Sequence, residues 1–220
     1  MATLLQDNFD RANSTTTVGA PQVGPTPTAT AGTLGISGNQ LYPVTFASSE
    51  AWLVYDLGTP NVEISFTRAS QWQADAILGY TSTTDFYLFA MATSGSSGLW
   101  RRVGANFVLL ASTGNLQNSV TGDVVRASLK DGVFRCYYNN VRVIKYAAQD
   151  AVTGTQSGVR LTQSSACRVD NLLGTDAPAL DPPSTGGFRS VDRIAATNTP
   201  RASFLYRGRD SKPLDTAGVA

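Results

Sequence analysis

The sequence predicts an all-β protein, an antiparallel two-sheet jelly-roll sandwich with an extended C-terminal tail. Short apolar runs rich in β-branched and aromatic residues recur along the chain, separated by Gly, Asn, Asp and Ser. No long stretch repeats apolar residues at the spacing of an amphipathic helix. Short strands that recur at regular spacing in this way are typical of sandwiches and jelly rolls.

The predicted strands follow one another from residue 51 to residue 174. They are 51–58, 61–70, 74–82, 85–93, 99–104, 106–113, 123–130, 133–138, 141–146, 157–163 and 167–174. Before them, the Thr-, Pro- and Gly-rich segment 15–35 is predicted to be a long surface loop.

The stretch LKDGVFRCYYNNVRVIKY (129–146) is predicted to form three antiparallel strands joined by two tight turns. Asp131-Gly132 and Asn139-Asn140 tolerate the positive φ that a two-residue hairpin turn requires.

Within VFRCYY, period-two alternation separates a packed face from a solvated face. The packed face carries Phe134, Cys136 and Tyr138. The solvated face carries Arg135 and Tyr137, and the charges Lys130, Arg142 and Lys145 are also expected in solvent.

Composition limits the classes of function. The absence of histidine excludes Ser-His-Asp and Cys-His nucleophiles and His-ligated metal sites. With 17 basic and 16 acidic residues the net charge is +1, so the chain lacks the charge pattern of proteins that bind nucleic acid or an anionic membrane. No leader sequence or apolar run of membrane-spanning length is present, and we expect a soluble protein made in a cytoplasm.

Two cysteines, Cys136 and Cys167, are too few for a disulfide framework. Both lie in strand-like runs, which favours two buried thiols, but a bridge between them stays open.

Three regions are predicted along the chain. Residues 1–176 form the jelly-roll domain, 177–187 form a Pro- and Gly-rich linker, and 188–220 form a tail with net charge +3. The tail has one apolar run and cannot bury a core alone, so it is expected to lie on its own domain, to lie on a neighbour, or to be disordered.

Four segments resemble the motifs of concanavalin A-like lectin/glucanase (LamG-like) jelly-roll domains found in virion proteins of tailed bacteriophages. They are DNFDRANS (7–14), TLGISGNQLY (33–42), GDVVRASLKDGVFRCYYNNVRVIKY (122–146) and GTQSGVRLTQSSACRVDNLLGTD (154–176). Two positions depart from the pattern: Leu34 stands in place of an aromatic residue, and Asn140 stands in place of the turn glycine.

The resemblance implies a structural virion protein, tail-associated or on the particle surface, that is assembled in the host cytoplasm. Its partners would be other virion proteins, with a homo-oligomer expected. The alternative that it implies is an adhesin that binds host envelope polysaccharide.

Catalysis is not expected. Glucanases of this fold place two carboxylates on one strand face, whereas Glu50 and Glu63 are the only glutamates and Glu63 has no second acid two or four residues further on. Asp7 and Asp10 are three apart and would face opposite ways on a strand, and Asp7 is expected to tie the first strand.

No cofactor is expected, although calcium stays open through Asp123, Asp170 and Asn171. The favoured alternative for Asp170 is a set of hydrogen bonds to the adjoining backbone.

Sugar binding would require exposed aromatic side chains beside amide and carboxylate groups. The aromatic candidates are Trp52, Trp72 and Trp100, with Tyr80 and Tyr137. Trp72 is favoured because Gln71, Gln73 and Asp75 surround it, although each aromatic is more often a core or edge residue.

The tail segment ASFLYRGRD is the predicted partner-binding element, added as a strand to an exposed sheet edge. Its predicted contact residues are Phe204, Leu205, Tyr206, Arg207 and Arg209. The alternative is that this strand covers an edge of its own domain.

Overall fold

The computed structural model describes residues 1–91, 97–114, 120–162 and 164–178. Within these ranges the chain forms fifteen β-strands and no helix, which confirms the predicted all-β class. The strands are β1 Thr3–Asp7, β2 Thr28–Ala31, β3 Thr33–Ile36, β4 Leu41–Thr45, β5 Glu50–Asp56, β6 Val62–Arg68, β7 Ala74–Ser82, β8 Asp85–Ala90, β9 Gly98–Val103, β10 Asn106–Ser112, β11 Val124–Lys130, β12 Val133–Tyr138, β13 Val141–Ala147, β14 Gln156–Thr162 and β15 Val169–Asp176.

The strands form two antiparallel sheets that pack face to face. The eight-stranded sheet has the order β13-β12-β11-β6-β15-β4-β3. On the side of β15 that faces away from β6, Val169 pairs with β4 and residues 172–175 pair with β1. The seven-stranded sheet has the order β10-β9-β8-β7-β14-β5-β2. Side chains from the inner faces of both sheets form one core, and this arrangement confirms the predicted jelly-roll sandwich.

Both predicted hairpin turns are present in the eight-stranded sheet. Asp131 and Gly132 have φ of 50° and 75°, and Asn139 and Asn140 have φ of 49° and 64°. Positive φ at both central residues is the backbone of the type I′ turn, so Asn140 replaces the turn glycine without loss of the hairpin.

The faces of β12 are partly as predicted. Phe134 and Cys136 are buried in the core between the sheets, and Tyr138 packs at its margin. The expectation that Tyr137 lies in solvent is wrong, because the guanidinium of Arg126 lies 3.8 Å from the centre of its ring and covers it.

The expectation of a surface loop through residue 35 is wrong at its C-terminal end. Residues 28–31 form β2 at the edge of one sheet, and residues 33–36 form β3 at the edge of the other. The chain changes sheets at Gly32, whose φ is +67° and where a Cβ would lie 2.4 Å from the carbonyl oxygen of Thr45. Only glycine fits this crossing without strain.

Asp7 ties the first strand to its surroundings, as expected. Its buried carboxylate accepts hydrogen bonds from the backbone N–H of Phe9 and the guanidinium of Arg11. Arg11 also donates to the carbonyls of Val18 and Ala20, at 2.7 and 2.6 Å, and so holds the loop that follows. Burial raises the pKa of Asp7 in spite of these hydrogen bonds.

The predicted linker and tail lie largely beyond the described residues. Ala177 is buried and donates its N–H to the carbonyl of Asn61, so the start of the predicted linker packs on the domain. Residues 179–220 are outside the described ranges. Among the residues described, no helix is long and apolar enough to cross a membrane.

Cys136 and Cys167 provide a matched pair of buried thiols. Both are free, but only the thiol of Cys167 donates a hydrogen bond in the described structure, at 3.3 Å to the carbonyl of Gln73. We expect Cys136→Ser to destabilise the fold by about 1–3 kcal/mol, because its hydroxyl lacks a polar partner. Cys167→Ser should cost less, because the serine keeps a partner.

Urea unfolding of the two serine variants measures this difference. Because burial raises the pKa of both thiols, we also expect slow labelling of each by thiol reagents. Equal destabilisation by the two substitutions, or rapid labelling of native Cys136, would contradict the assignment.

Candidate functional site

The outer face of the seven-stranded sheet is strongly concave. Trp52 on β5 and Phe86 on β8 are separated by β7 and β14, yet their ring centroids are 5.1 Å apart. Arg102 on β9 and Glu50 on β5 are four strands apart, about 19 Å in a flat sheet, yet their charged groups are 3.3 Å apart. We call this surface the concave face.

The floor of the concave face is a second apolar cluster, separate from the core between the sheets. Its buried residues are Trp52, Val54, Ile77, Tyr80, Phe86, Leu88 and Ala90. The rings of Tyr80 and Phe86 stack at 5.7 Å, and Phe107 from β10 contacts Phe86 edge-on at 6.2 Å. Trp100 packs on the cluster while remaining half-buried, so an aromatic surface reaches solvent at the rim.

Above the floor lies a connected network of charges. Arg160 on β14 donates to Asp75 on β7 at 2.7 and 2.9 Å and to Glu50 on β5 at 2.6 Å. Glu50 also pairs with Arg102, and Asp75 also accepts from the amide of Gln73. Charge-assisted hydrogen bonds of this kind fix the side chains that form them.

Arg102 lies against three aromatic rings. Its guanidinium carbon is 5.1 Å from the centre of the Trp52 ring, 5.8 Å from Phe86 and 5.1 Å from Phe107. These cation–π contacts, together with the ion pair to Glu50, hold the arginine in one place at the surface of the face. The face therefore presents fixed charged groups beside aromatic carbon.

Two buried polar groups on the concave face have no partner among the described residues. They are the indole N–H of Trp52 and the hydroxyl of Thr162. In the register between β5 and β14, Trp52 lies opposite Arg160 and Glu50 lies opposite Thr162. The indole N–H and the hydroxyl therefore belong to two adjacent strands, two register positions apart. A buried polar group without a hydrogen-bond partner costs free energy.

The structure separates the residues predicted to bind sugar into two places. Gln73, Asp75 and Trp100 belong to the concave face. Trp72 instead packs against the core between the sheets, and the carbonyls of Gln71 and Trp72 accept hydrogen bonds from the buried Arg68. The five residues therefore do not form a single surface.

The partners of Arg160 and Arg102 were not predicted. In the sequence, Arg160 is one charge within the strand SGVRLTQ, and Glu50 appears only as a carboxylate without a catalytic partner. A charged residue in the middle of an apolar strand run is the signal that could have identified Arg160.

The residues considered for calcium make structural hydrogen bonds. Asp123 is buried and accepts from the hydroxyl of Tyr138, from the amide of Asn139 at 2.9 Å and from the N–H of Val120 at 2.6 Å. Asp170 accepts from the backbone N–H of Asn171 at 2.7 Å.

The two aspartates also lie on opposite sides of one strand. Thr67 of β6 pairs with Val124, next to Asp123, on one side and with Asp170 on the other. The described part of the chain contains no group of three or more acidic or cysteine side chains placed to hold a metal ion.

A cleft of about 370 Å³ is lined by the loop held by Arg11, by the residues on either side of β2, by Thr33 and Leu34 of β3 and by Leu53 of β5. Its polar lining consists of backbone and the hydroxyl-bearing residues Thr16, Thr17, Thr26 and Thr33. It has neither an aromatic nor a charged side chain among its lining residues. The concave face therefore offers more of the groups that bind a polar ligand.

Comparison with solved structures finds domains of the same fold. The carbohydrate binding module CBM66 from Bacillus subtilis matches with a TM-score of 0.54 at 12% identity, over 67% of this chain and 94% of that one. The Emp47p carbohydrate recognition domain matches with a TM-score of 0.51 at 8% identity, over 79% of this chain and 95% of that one.

A third chain comes from a study of endo-acting O-glycanases that prominent members of the human gut microbiota express to initiate mucin breakdown. It matches with a TM-score of 0.52 at 9% identity, over 80% of this chain and 100% of that one. The chain has a concanavalin A-like lectin fold. At these identities the likeness extends to the fold alone. No protein-family model and no curated protein sequence matches the chain.

The pH dependence of stability tests the structural role of Asp123. Burial alone would raise the pKa of Asp123, but hydrogen bonds from Tyr138, Asn139 and Val120 hold it below 3.8. A lowered pKa in the folded state gives stability that is present above about pH 4 and is lost as the pH falls through the folded-state pKa. We expect Asp123→Asn to destabilise the protein at neutral pH, by an amount that shrinks below about pH 4.

Urea unfolding over a series of pH values measures this dependence. Asp170→Asn is the control, because burial raises the pKa of Asp170 and its carboxylate should not give the same acid-sensitive stability. A destabilisation by Asp123→Asn that is the same at every pH would contradict the assignment.

Proposed function

We propose that this chain is a non-catalytic carbohydrate-binding domain whose ligand lies on the concave face of the seven-stranded sheet. The observation that carries the proposal is the half-buried ring of Trp100, which reaches solvent beside the partly exposed and fixed side chains of Arg102 and Glu50.

The composition of the face supports a carbohydrate rather than a purely apolar ligand. Half-buried Trp100 and exposed Phe107 provide aromatic carbon for the apolar face of a sugar ring. Arg102 and Glu50 stand beside them with part of each side chain in solvent, at 20% and 18% exposure. Their positions are fixed by the buried network beneath, so little conformational entropy is lost when a ligand binds.

Two of the similar solved structures are a carbohydrate binding module and a carbohydrate recognition domain, which agrees with this proposal. At 12% and 8% identity they support it through the shared fold only.

The absence of catalysis is part of the proposal. Glycoside hydrolysis uses one carboxyl group as a proton donor and a second as base or nucleophile. On the concave face, Asp75 accepts two hydrogen bonds from Arg160, and Glu50 accepts from both Arg160 and Arg102. Carboxylates held in this way are suited to orienting arginines, not to exchanging protons with a substrate.

The predicted role as a structural protein of a phage virion stays a prediction. It depends on the tail, residues 188–220, and its contact residues Phe204 to Arg209 lie outside the described part of the chain. Binding of a host glycan and a place in a virion are compatible, and the concave face bears only on the first.

Substitution of two tryptophans tests where the ligand binds. The full chain would be screened against neutral and acidic polysaccharides by affinity electrophoresis, followed by titration calorimetry with the polysaccharide that retards it most. We expect Trp100→Ala to weaken binding about tenfold or more, because the substitution removes the largest partly exposed aromatic ring beside Arg102 and Glu50. Trp72→Ala is the matched control, a half-buried tryptophan on the other apolar cluster, and should bind like the wild type.

Thermal unfolding would establish that both alanine variants are folded. Loss of binding in Trp72→Ala with retention in Trp100→Ala would move the site to residues 71–73. A chain that no polysaccharide retards would refute the proposal.

A further inference from the structure

Exposed apolar side chains are concentrated at one hairpin. Eight large hydrophobic residues are exposed in the described part of the chain, and four of them, Val103, Phe107, Val108 and Leu109, lie within the β9–β10 hairpin. Single exposed hydrophobic residues are ordinary, whereas a contiguous group marks a surface that contacts another molecule.

The same hairpin ends in a sheet edge with which no other described strand pairs, and a register shift between Leu109 and Ala111 is its one irregularity among the described residues. Within the described residues β10 pairs only with β9, and none of its seven residues, Asn106–Ser112, is charged. The unpaired N–H and C=O groups of such an edge are free to pair with another strand.

The other sheet edges are protected. β13 carries Arg142 and Lys145, and charged residues on an edge discourage pairing. β1 has five residues, and β2 and β3 have four each. A bridge between Gln6 and Val23 partly occupies the outer side of β1, and a bridge between Ser14 and Ile36 partly occupies that of β3. β10 is therefore the long, uncharged and apolar edge.

We propose that β10 pairs antiparallel with β10 of a second copy of this chain, which continues the seven-stranded sheet across a two-fold axis. The absence of charge favours a second copy, because a two-fold axis places the strand opposite itself and any charge would face its like. A partner chosen by opposite charge would find no complementary group on this strand.

Both faces of β10 contribute to the proposed contact. Phe107 and Leu109 share the face of Arg102 and Trp100, with which they pair, whereas Val108 pairs with Arg101 on the opposite face. The pairing would therefore remove apolar surface on both sides of the sheet. A pair of seven-residue strands buries less than the ~800 Å² per partner of a standard interface. We expect a reversible dimer whose population rises with concentration.

Sedimentation velocity of the full chain over a wide range of concentrations tests the proposal. Val108→Lys places a charge on the edge strand and should weaken dimerisation about tenfold or more. Val141→Lys on β13 is the matched control, since Val141 is 41% exposed and Val108 is 49% exposed, and it should leave the dimer unchanged. Because Val108 lies opposite the concave face, polysaccharide binding should persist in Val108→Lys, which separates this test from that of the proposed function.

Amide hydrogen exchange of the wild type provides a second measurement that does not depend on a variant. The amides of residues 106–112 should exchange more slowly as concentration rises. A chain that is monomeric throughout, equal weakening by Val141→Lys, or protection confined to other strands would overturn the proposal. A monomer with these amides protected at every concentration would also overturn it, because another segment of the same chain would then cover the edge.

Discussion

The buried guanidinium of Arg160 is the charge on which the concave face depends. Removing an ion from water costs several kcal/mol unless partners replace the lost hydration. Here the partners are Asp75 on β7 and Glu50 on β5, the two strands that flank β14. Asp75 also accepts a hydrogen bond from the N–H of Met91, the residue that follows β8. The carboxylate of Asp75 therefore links β14, at the centre of the sheet, to the end of β8. Loss of either acid would leave a buried charge with incomplete compensation.

The curvature of the sheet is coupled to this network. Glu50 accepts from Arg160 beside it and from Arg102, which comes from β9 across the width of the face. The second contact is possible only in a concave sheet, and the rings of Trp52 and Phe107 on either side of Arg102 fill the space that the curvature encloses. The arrangement is preorganised, because its charged groups are already held in place without a ligand. This is the physical basis for assigning ligand binding to the concave face and not to the cleft lined by threonines.

The sequence predicts what depends on local pattern. The strands from β5 to β15 follow alternation and turn residues, and the positive φ of Asp131 and Asn139 follows from residue type. β1 and β2 have only five and four residues. Their strand conformation depends on pairing with residues far along the chain, such as that of β1 with β15, and a local pattern does not encode such pairing. The candidate site divides in the same way: Asp75 and Trp100 can be chosen from the sequence as candidate binding residues. The role of Arg160 depends on acids 85 and 110 positions away, which only the folded sheet brings together.

Nuclear magnetic resonance of the tryptophan indole groups tests the assignment of the concave face most directly. The chain has three tryptophans, so three indole N–H signals can be followed during titration with a fragment of a retained polysaccharide, each assigned by a Trp→Phe variant. We expect the indole N–H signals of Trp52 and Trp100 to shift when the ligand binds, and the signal of Trp72 to stay in place. A shift of the Trp72 signal with the other two unchanged would contradict this expectation.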